Sequence, residues 1–234
     1  MLSNLLNPEA VTEAASIIET EFPLAIWETI YVTVLSTAFS VLIGLPLGVL
    51  LASGDKNGIL PLPTWLKRLI DFIINILRSV PFLILMIMVI PLTRLIVGTS
   101  VGTMASIVPL VISAFPFVAR LAESSFREIN PGVIEAAKSM GATPMQIILK
   151  VLIPESIPSL LSNVTIAITT ILGYSAMSGI IGGGGLGKIA INYGYYRYQT
   201  LIMILAVILL IVLVQIFQSA GSHLAKKSDK RSIE

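Results

Sequence analysis

The chain has 234 residues, of which 55% are hydrophobic and only 12% are charged, and its mean hydropathy is +0.93. Soluble domains carry about 25% charged residues, so this composition argues against a water-soluble globule and for a protein that folds in a bilayer. The sequence contains no cysteine, which excludes disulfides, thiolate nucleophiles and cysteine-ligated zinc. A net charge of +2 gives no reason to expect nucleic-acid binding.

Five apolar runs are each long enough to cross the hydrocarbon core as a helix, which needs about 20 residues. The predicted spans cover residues 24–52, 69–90, 101–119, 157–181 and 201–217. The boundary between the second and third spans, at residues 91–102, is the least clearly marked of the four. The sequence therefore predicts an all-α integral membrane protein with five transmembrane helices.

Lysine and arginine are unequally distributed between the two ends of these spans, which predicts orientation because basic loops stay in the cytoplasm. With five alternating helices, eleven basic residues fall on one side and only three, Arg94, Lys188 and Arg197, on the other, while Arg78 lies near the start of the second span. The larger set is Lys56, Lys67, Arg68, Arg120, Arg127, Lys138, Lys150, Lys226, Lys227, Lys230 and Arg231. We therefore expect the N-terminus outside the cell and the C-terminus inside.

The two ends of the chain are expected to lie outside the spans. Residues 1–25 form a predicted extracellular segment, and they are not expected to be a secretory signal because no basic region precedes an apolar core. Residues 7–18 have the pattern of a short helix at the outer surface, with a poorly ordered extension as the alternative. Residues 219–234 form a predicted basic cytoplasmic tail, in which His223 is expected to be a solvated side chain.

The segment between the third and fourth spans, residues 130–154, shows the sequence signals of two short helices. Asn130 followed by proline is typical of an N-cap and a first helical turn. Gly141 predicts a left-handed stop for this first helix. Thr143 and Gln146 then have the spacing of a capping box, which predicts the start of a second helix.

The second of these helices is predicted to have one apolar face and to give way to the fourth span at Pro154 and Pro158. The apolar positions follow a helical period and are Met145, Ile148, Leu149 and Leu152. In the first helix Ala136 and Ala137 have small side chains, so another protein could approach the backbone closely there. Glu135 and Lys138 would then lie at the rim of the contact. The alternative is that the helix pair simply caps the membrane helices.

The spacing of residues in this segment resembles a family signature. Glu135-Ala136-Ala137, Gly141 and Val151-Leu152-Ile153-Pro154 follow the pattern E-A-A-x3-G-x9-I-x-L-P of binding-protein-dependent ABC import permeases, with valine and isoleucine in place of the usual isoleucine and leucine. In that family the segment docks on a separate cytoplasmic ATPase. The resemblance implies a type I ABC importer permease fold over residues 26–218. It assigns coupling to Glu135, Ala136, Ala137, Gly141, Val151, Ile153 and Pro154.

Further stretches resemble the methionine-importer permeases within that family. They lie at residues 26–29, 78–82, 91–100, 141–146 and 173–177. The resemblance implies a homodimer in a bacterial cell membrane, two ATP-binding subunits that bind ATP and magnesium, and an extracellular methionine-binding protein or lipoprotein. Membrane lipid surrounds such a dimer, and no cofactor, metal or nucleic acid is expected on this chain.

Three residues of the fourth span, Tyr174, Ser175 and Met177, combine mild polarity with a flexible thioether. Helix packing is the simpler interpretation. The alternative hypothesis is that they line the translocation path, with Met177 as a soft plug. No charge pair within the spans is available to hold an amino acid, so specificity is expected to reside mainly in the extracellular binding protein.

Two glycine patterns have structural interpretations. Residues 182–187 satisfy G-x-G-x-x-G and, with Lys188, also G-x4-G-K, but Ile189 stands where a phosphate-binding loop needs Ser or Thr, and no strand precedes the glycines. We therefore expect close backbone packing near an outer gate. Gly44 and Gly48 predict small-residue helix packing.

No catalytic constellation is present, so the chain is predicted to be a non-catalytic permease subunit.

The predicted function is a permease that forms the translocation path of an ATP-driven methionine importer as a homodimer. An import permease for another amino acid or small organic solute stays open as the nearest alternative. A self-sufficient channel or secondary carrier, and a membrane scaffold without transport, are the alternatives from other classes. L-methionine, D-methionine and related sulfur compounds are alternative substrates within this prediction.

Overall fold

The computed structural model describes residues 8–229, with side chains described from residue 14 onward, and every regular element in this range is helical. The helices are α1 (Pro8–Ser53), α2 (Thr64–Ser79), α3 (Phe82–Met88), α4 (Ile90–Val97), α5 (Thr103–Arg127), α6 (Pro131–Ser139), α7 (Pro144–Ile147), α8 (Ile153–Ser178), α9 (Gly185–Ile189) and α10 (Thr200–Ser228). A π-helical turn, Ile148–Leu152, joins α7 to α8, and a second π-helical segment, Ala190–Tyr195, follows α9. The all-α prediction is confirmed.

Within residues 8–229, four continuous helical stretches are long and apolar enough to cross a membrane. They are Ala14–Ser53, Thr103–Arg127, Pro144–Ile181 and Thr200–Ser228. They correspond to the first, third, fourth and fifth predicted spans. A fifth span is obtained when α2 and α3, which lie on either side of a short break, are counted together.

The second predicted span, residues 69–90, is not one continuous helix, because α2 and α3 are bent by 106° relative to each other at a short break. α2 ends at Ser79 because Val80 precedes a proline and has an extended backbone, with φ −79° and ψ 126°. α3 then begins directly after Pro81. The weak boundary expected at residues 91–102 lies largely within α4, which ends at Gly98 in the left-handed conformation.

Residues 8–23, which precede the first predicted span, form the beginning of α1 rather than a separate short helix or a poorly ordered extension. Ala14, Ile17 and Phe22 are buried in an apolar cluster, which explains why the helix extends so far toward the N-terminus. Asn7 lies outside the described residues. In the basic tail, α10 continues through Lys226 and Lys227, whereas Lys230 and Arg231 lie outside the described residues.

The chain divides into two compact units. The first contains the chain up to Thr37 together with Pro81–Val111 and Ile168–Phe217, and the second contains Ala38–Val80, Ile112–Ala167 and the chain from Gln218 onward. The first unit has an apolar core that includes Leu172, Leu186, Ile189, Ile202 and Ala206. The core of the second unit lies at the ends of α1 and α5 and is described with the candidate site.

Helices of the second unit are held together by small residues and by buried polar groups. A Cβ atom added at Gly48 would lie 2.6 Å from the Ala122 Cβ, so glycine allows α1 to approach α5 closely. The predicted packing role of Gly44 and Gly48 is confirmed by the same contacts. Asn163 of α8 donates to the Ser125 hydroxyl of α5 at 2.7 Å, a polar link of the kind that joins membrane helices.

Candidate coupling site

The first helix of the coupling segment, which we define as residues 130–154, begins and ends as its sequence predicts. The Asn130 side chain accepts a hydrogen bond from the Gly132 N–H at 2.9 Å. At the other end Gly141 has φ +78°, a conformation that costs other residues about 1–2 kcal/mol. Its N–H donates to Lys138 at 2.9 Å, and the Ala142 N–H donates to Ala137 at 3.1 Å. These two bonds form a Schellman motif, which pairs the Ala137 and Lys138 carbonyls at the end of α6.

The second helix starts with the predicted capping box but does not end where the prolines predict. The Thr143 N–H donates to the Gln146 side chain at 2.9 Å, and the Gln146 N–H donates back to the Thr143 hydroxyl at 3.4 Å. The helix then continues without interruption from Pro144 to Ile181. The π-helical turn before Pro154 changes the hydrogen-bond register, and such turns accommodate the missing proline N–H groups within a helix.

The prediction that this helix has a single apolar face is wrong. Ile148 and Leu152 are buried together with Ile147, whereas Met145 and Leu149 are each 58% exposed. The prediction assumed a uniform period of 3.6 residues per turn, and the π-helical turn is wider than that. The segment therefore has a buried apolar side and, separately, apolar residues that remain exposed.

The buried side of the coupling segment packs on the ends of α1 and α5 in one apolar cluster, which we call the segment core. Its buried members are Val49, Ile59, Ala122, Phe126, Ile129, Ala137, Ile147, Ile148, Leu152 and Leu160. The segment contributes to this cluster from both of its helices, so α6 and α7 cannot move independently of α1 and α5 without exposing apolar surface. The segment is thus attached firmly to the membrane helices of its own unit.

The predicted coupling residues divide between the two sides of the segment. Glu135, Ala136, Gly141 and Pro154 are exposed. Val151 and Ile153 are half-buried against the segment core. Ala137 is only 4% exposed, so its small size serves packing within the segment. Burial of Ala137 contradicts the expectation that both alanines leave room for a partner, and for Ala136 this stays a prediction.

An ionic network, which the sequence analysis missed, lies beside the segment core. Arg120 of α5 donates to Asp71 of α2 at 2.9 Å and to Glu123 at 2.7 Å. It also donates to Asn75 at 3.0 Å. The Glu123 side chain is only 12% exposed, so the charge is largely removed from solvent and is compensated by its partners. The network connects α2 to α5 near the end from which the coupling segment continues.

The network extends through Arg127 to the loop after α1. Arg127 lies 2.9 Å from Glu123 and 3.6 Å from Asp55, and Lys67 forms an ion pair with Asp55. The hydrogen bond from Lys67 lowers the pKa of the Asp55 carboxyl. Because the folded-state pKa is the lower one, the pair stabilises the fold above the ordinary carboxyl pKa. This contribution is lost as the pH falls through the folded value.

A sequence signal could have found part of this network. Residues 120, 123 and 127 are spaced i, i+3 and i+7, so the three charged side chains share one face of α5. The partners on α2 and in the loop are distant in sequence, and only the folded chain brings them to that face.

The predicted gate residues lie in the first unit, whereas the coupling residues lie in the second. The Tyr174 ring is stacked on Phe82 with 4.3 Å between ring centroids and 7° between the ring planes. Ser175 is buried and donates to the Leu172 carbonyl at 2.8 Å. Met177 is 43% exposed. Tyr174 and Ser175 therefore have packing partners, and Met177 is the most exposed of the three.

The glycine-rich loop before α9 is closely packed and holds a carboxylate of the chain itself. The Gly185 N–H donates to Glu28 at 2.7 Å, and Glu28 also accepts from the Thr103 hydroxyl at 2.6 Å. A Cβ atom added at Gly179 would lie 2.6 Å from backbone atoms of Gly187 and Lys188 in α9. The anion position at the start of α9 is filled by Glu28, which agrees with the packing interpretation of these glycines.

Comparison with known proteins identifies the family. Residues 44–228 match the family described as the inner membrane component of binding-protein-dependent transport systems. The chain belongs to this family. A probable D-methionine transport system permease protein MetI of Vibrio cholerae is 53% identical over 208 residues, which cover 88% of this chain and 92% of that protein.

Two further relatives agree. The D-methionine transport system permease protein MetI of Escherichia coli is 50% identical over 154 residues, which cover 66% of this chain and 70% of that protein. A structure described as an inward-facing conformation of the MetNI methionine ABC transporter is 46% identical, with a TM-score of 0.86, and the match covers 88% of this chain and 95% of that chain. The fold of this permease is therefore that of a type I ABC importer permease, and its relatives are transport subunits rather than enzymes.

We expect the ionic network to stabilise the permease mainly through Glu123. Glu123→Gln removes the charge that Arg120 and Arg127 share, so it should lower the free energy of unfolding by about 2 kcal/mol. The measurement is the thermal melting temperature of the purified chain. Glu128→Gln, the same change at an exposed residue directly after the end of α5, should leave the melting temperature unchanged. Equal melting temperatures for both variants would contradict this role.

Proposed function

We propose that this chain is the membrane permease of an ATP-driven methionine importer, in which two copies form the translocation path and two separate ATP-binding subunits supply the energy. An extracellular methionine-binding protein delivers the substrate to the outer side. Family membership and the names of the similar permeases support the transport function and the methionine substrate. In this proposal ATP and magnesium bind to the partner subunits, and this chain performs no covalent chemistry.

The observation that carries the coupling proposal is the two-sided character of the coupling segment. One side is buried in the segment core. The segment also exposes four large apolar residues, namely Val133, Met140, Met145 and Leu149. Met140 is 81% exposed, which is costly in water unless another protein covers it. We infer that a cleft of the ATP-binding subunit covers these residues, together with Glu135 and Ala136 at their rim.

A rigid segment can transmit motion of the ATP-binding subunits to the membrane helices. The Schellman motif, the capping box and the segment core each restrict the segment locally, so a displacement applied to α6 and α7 is passed to α1 and α5 as a rigid-body shift. The inward-open and outward-open states then differ by a modest free energy. The partner can shift this equilibrium only by its difference in affinity for the two states.

We also propose the orientation of the permease. The distribution of basic residues supports a cytoplasmic coupling segment and C-terminus and an outer N-terminus. The same orientation exposes the coupling segment to the compartment that contains ATP. The glycine-rich loop and the segment that follows it then lie on the outer side.

Met177 is proposed as the gate residue of the translocation path, with Tyr174 and Ser175 as its supports. A thioether is flexible and makes adaptable apolar contacts, so it can close a path without holding the substrate tightly. The stacking of Tyr174 on Phe82 and the hydrogen bond of Ser175 support this division of roles, because both side chains are fixed in place.

Charge substitutions test the proposed docking surface. Met145→Asp and Leu149→Asp each place a charge on the exposed apolar side, so at least a tenfold loss of affinity for the ATP-binding subunit is expected. The measurement is co-purification of that subunit, together with the melting temperature of the permease, which should not change. Met145→Leu and Leu149→Met keep the apolar character and should retain the subunit. Retention of the ATP-binding subunit by both aspartate variants would contradict the docking surface.

Cysteine labelling tests the proposed orientation, because the chain has no cysteine of its own and a single introduced cysteine is the only thiol. A cysteine placed at Ser139 should react with a membrane-impermeant maleimide only after the inner side of the membrane has been exposed. A cysteine placed at Tyr195 should react from the outside. Labelling of position 139 in intact cells would show that the proposed orientation is reversed.

Truncation of Met177 tests the proposed gate. Met177→Ala should uncouple the transporter, with reduced methionine uptake and an ATP turnover that differs from that of the unmodified protein, because a shorter side chain cannot close the path. Ile208→Ala truncates a similarly exposed apolar residue on α10 and should leave both quantities unchanged. Unmodified values of uptake and turnover in Met177→Ala would remove Met177 from the gate.

A further inference from the structure

A polar cleft lies in the first unit, between α1 and the segment that follows the glycine-rich loop. Its volume is about 350 Å³, which falls within the range of about 300–1,000 Å³ that is typical of small-molecule sites. Its polar lining residues are Glu21, Lys188, Asn192, Tyr193, Tyr196 and Arg197. In a chain with only 12% charged residues, three charged side chains around one cleft form an unusual concentration.

The charged groups of the cleft are arranged around Tyr193. The Tyr193 hydroxyl donates to a carboxylate oxygen of Glu21. The Arg197 guanidinium carbon lies 4.6 Å from the centroid of the Tyr193 ring, a cation–π contact. Tyr193 therefore holds an anionic group at its hydroxyl end and a cationic group over its ring, a short distance apart on the same cleft.

Neither contact uses up the binding capacity of the charged groups. A carboxylate has about four lone-pair sites, so one bond from a tyrosine leaves Glu21 able to accept from an ammonium group. A guanidinium has five N–H donors, and contact with a ring face leaves donors for a carboxylate. Lys188, which is exposed beside the cleft, adds a second cation to the same lining.

The backbone at the cleft is irregular in two respects. Asn192 and Tyr193 lie on the π-helical segment Ala190–Tyr195, and π-helical turns occur frequently at functional sites. Just beyond it, Tyr198 has φ +56°, the only positive φ of a non-glycine residue in the described part of the chain. Strain of this kind persists where the surrounding structure enforces a local arrangement of side chains.

We propose that this cleft binds the zwitterionic head group of a free α-amino acid, with Glu21 accepting from the ammonium group and Arg197 and Lys188 binding the carboxylate. A zwitterion matches one anionic and two cationic side chains that share a cleft. In the proposed orientation the cleft lies on the outer side of the membrane, where it can be an entry site for imported substrate. This role rests on the proposed function.

The experiment uses the full chain in lipid nanodiscs, without ATP-binding subunit or binding protein. Equilibrium binding of radiolabelled L-methionine and D-methionine is measured, with two competitors: methionine methyl ester, which lacks the carboxylate, and 4-(methylthio)butanoate, which lacks the ammonium group. Methionine should bind, and each competitor should bind at least tenfold more weakly. Failure of the purified chain to bind either enantiomer at millimolar concentration overturns the proposal.

Three variants test the assigned roles. Glu21→Gln should weaken methionine binding at least tenfold and leave the affinity for 4-(methylthio)butanoate unchanged. Arg197→Gln and Lys188→Gln should weaken methionine binding and leave the affinity for the methyl ester unchanged. Arg94→Gln, a change of a cation that lies in the same unit but does not line the cleft, should bind methionine normally. Equal losses for every ligand in Glu21→Gln, or normal methionine binding in all three variants, would overturn the assignment.

Uptake by the complete transporter separates this inference from the proposed function. If the transporter imports methionine but the isolated chain does not bind it, the cleft assignment fails and the proposed function stands. If the isolated chain binds methionine through Glu21 and Arg197 but the transporter does not import it, the proposed substrate fails and the cleft assignment stands.

Discussion

Burial of the coupling segment against the ends of α1 and α5 is the interaction on which the proposed function of this permease depends. Ala137, Ile147, Ile148 and Leu152 share one apolar cluster with Val49 and Phe126 and other residues of those helices. Burial of apolar surface is worth roughly 25 cal/mol per Å², so a segment attached in this way cannot swing freely. In the proposed function, an ATP-binding subunit that binds the segment and moves it would therefore move the membrane helices as well.

The ionic network joins α2 and the loop after α1 to α5, one of the helices on which the segment packs, by a different physical effect. Glu123 lies between Arg120 and Arg127, and the two arginines reach α2 and the loop after α1 through Asp71 and Asp55. Apolar contacts are tolerant of small sliding movements, whereas hydrogen-bonded ion pairs fix distance and direction. The segment thus packs on helix ends that are themselves fixed by ion pairs. Loss of one member would leave its partners partly buried and uncompensated.

The first unit uses polar contacts for other purposes. Glu28 accepts from Thr103 and from the Gly185 N–H and so fixes the glycine-rich loop to α1 and α5. The nearby cleft collects charged and hydroxyl side chains around Tyr193. Polar groups at the ends of membrane helices remain in contact with water, which makes such positions suitable for the capture of a polar solute before it enters the apolar path.

The sequence by itself determined the features that depend on local chemistry and on periodicity. The long apolar runs predicted four of the helical stretches, and Asn130, Gly141 and Thr143 predicted the caps of the coupling segment, because a cap depends on a few neighbouring residues. Tertiary structure alone decided which residues face each other. It placed Ala137 inside the segment core, separated Met145 and Leu149 from Ile148 and Leu152, and brought Asp71 to Arg120 across 49 residues. These outcomes depend on a π-helical turn and on packing between distant helices, and neither leaves a periodic or local signal in the chain.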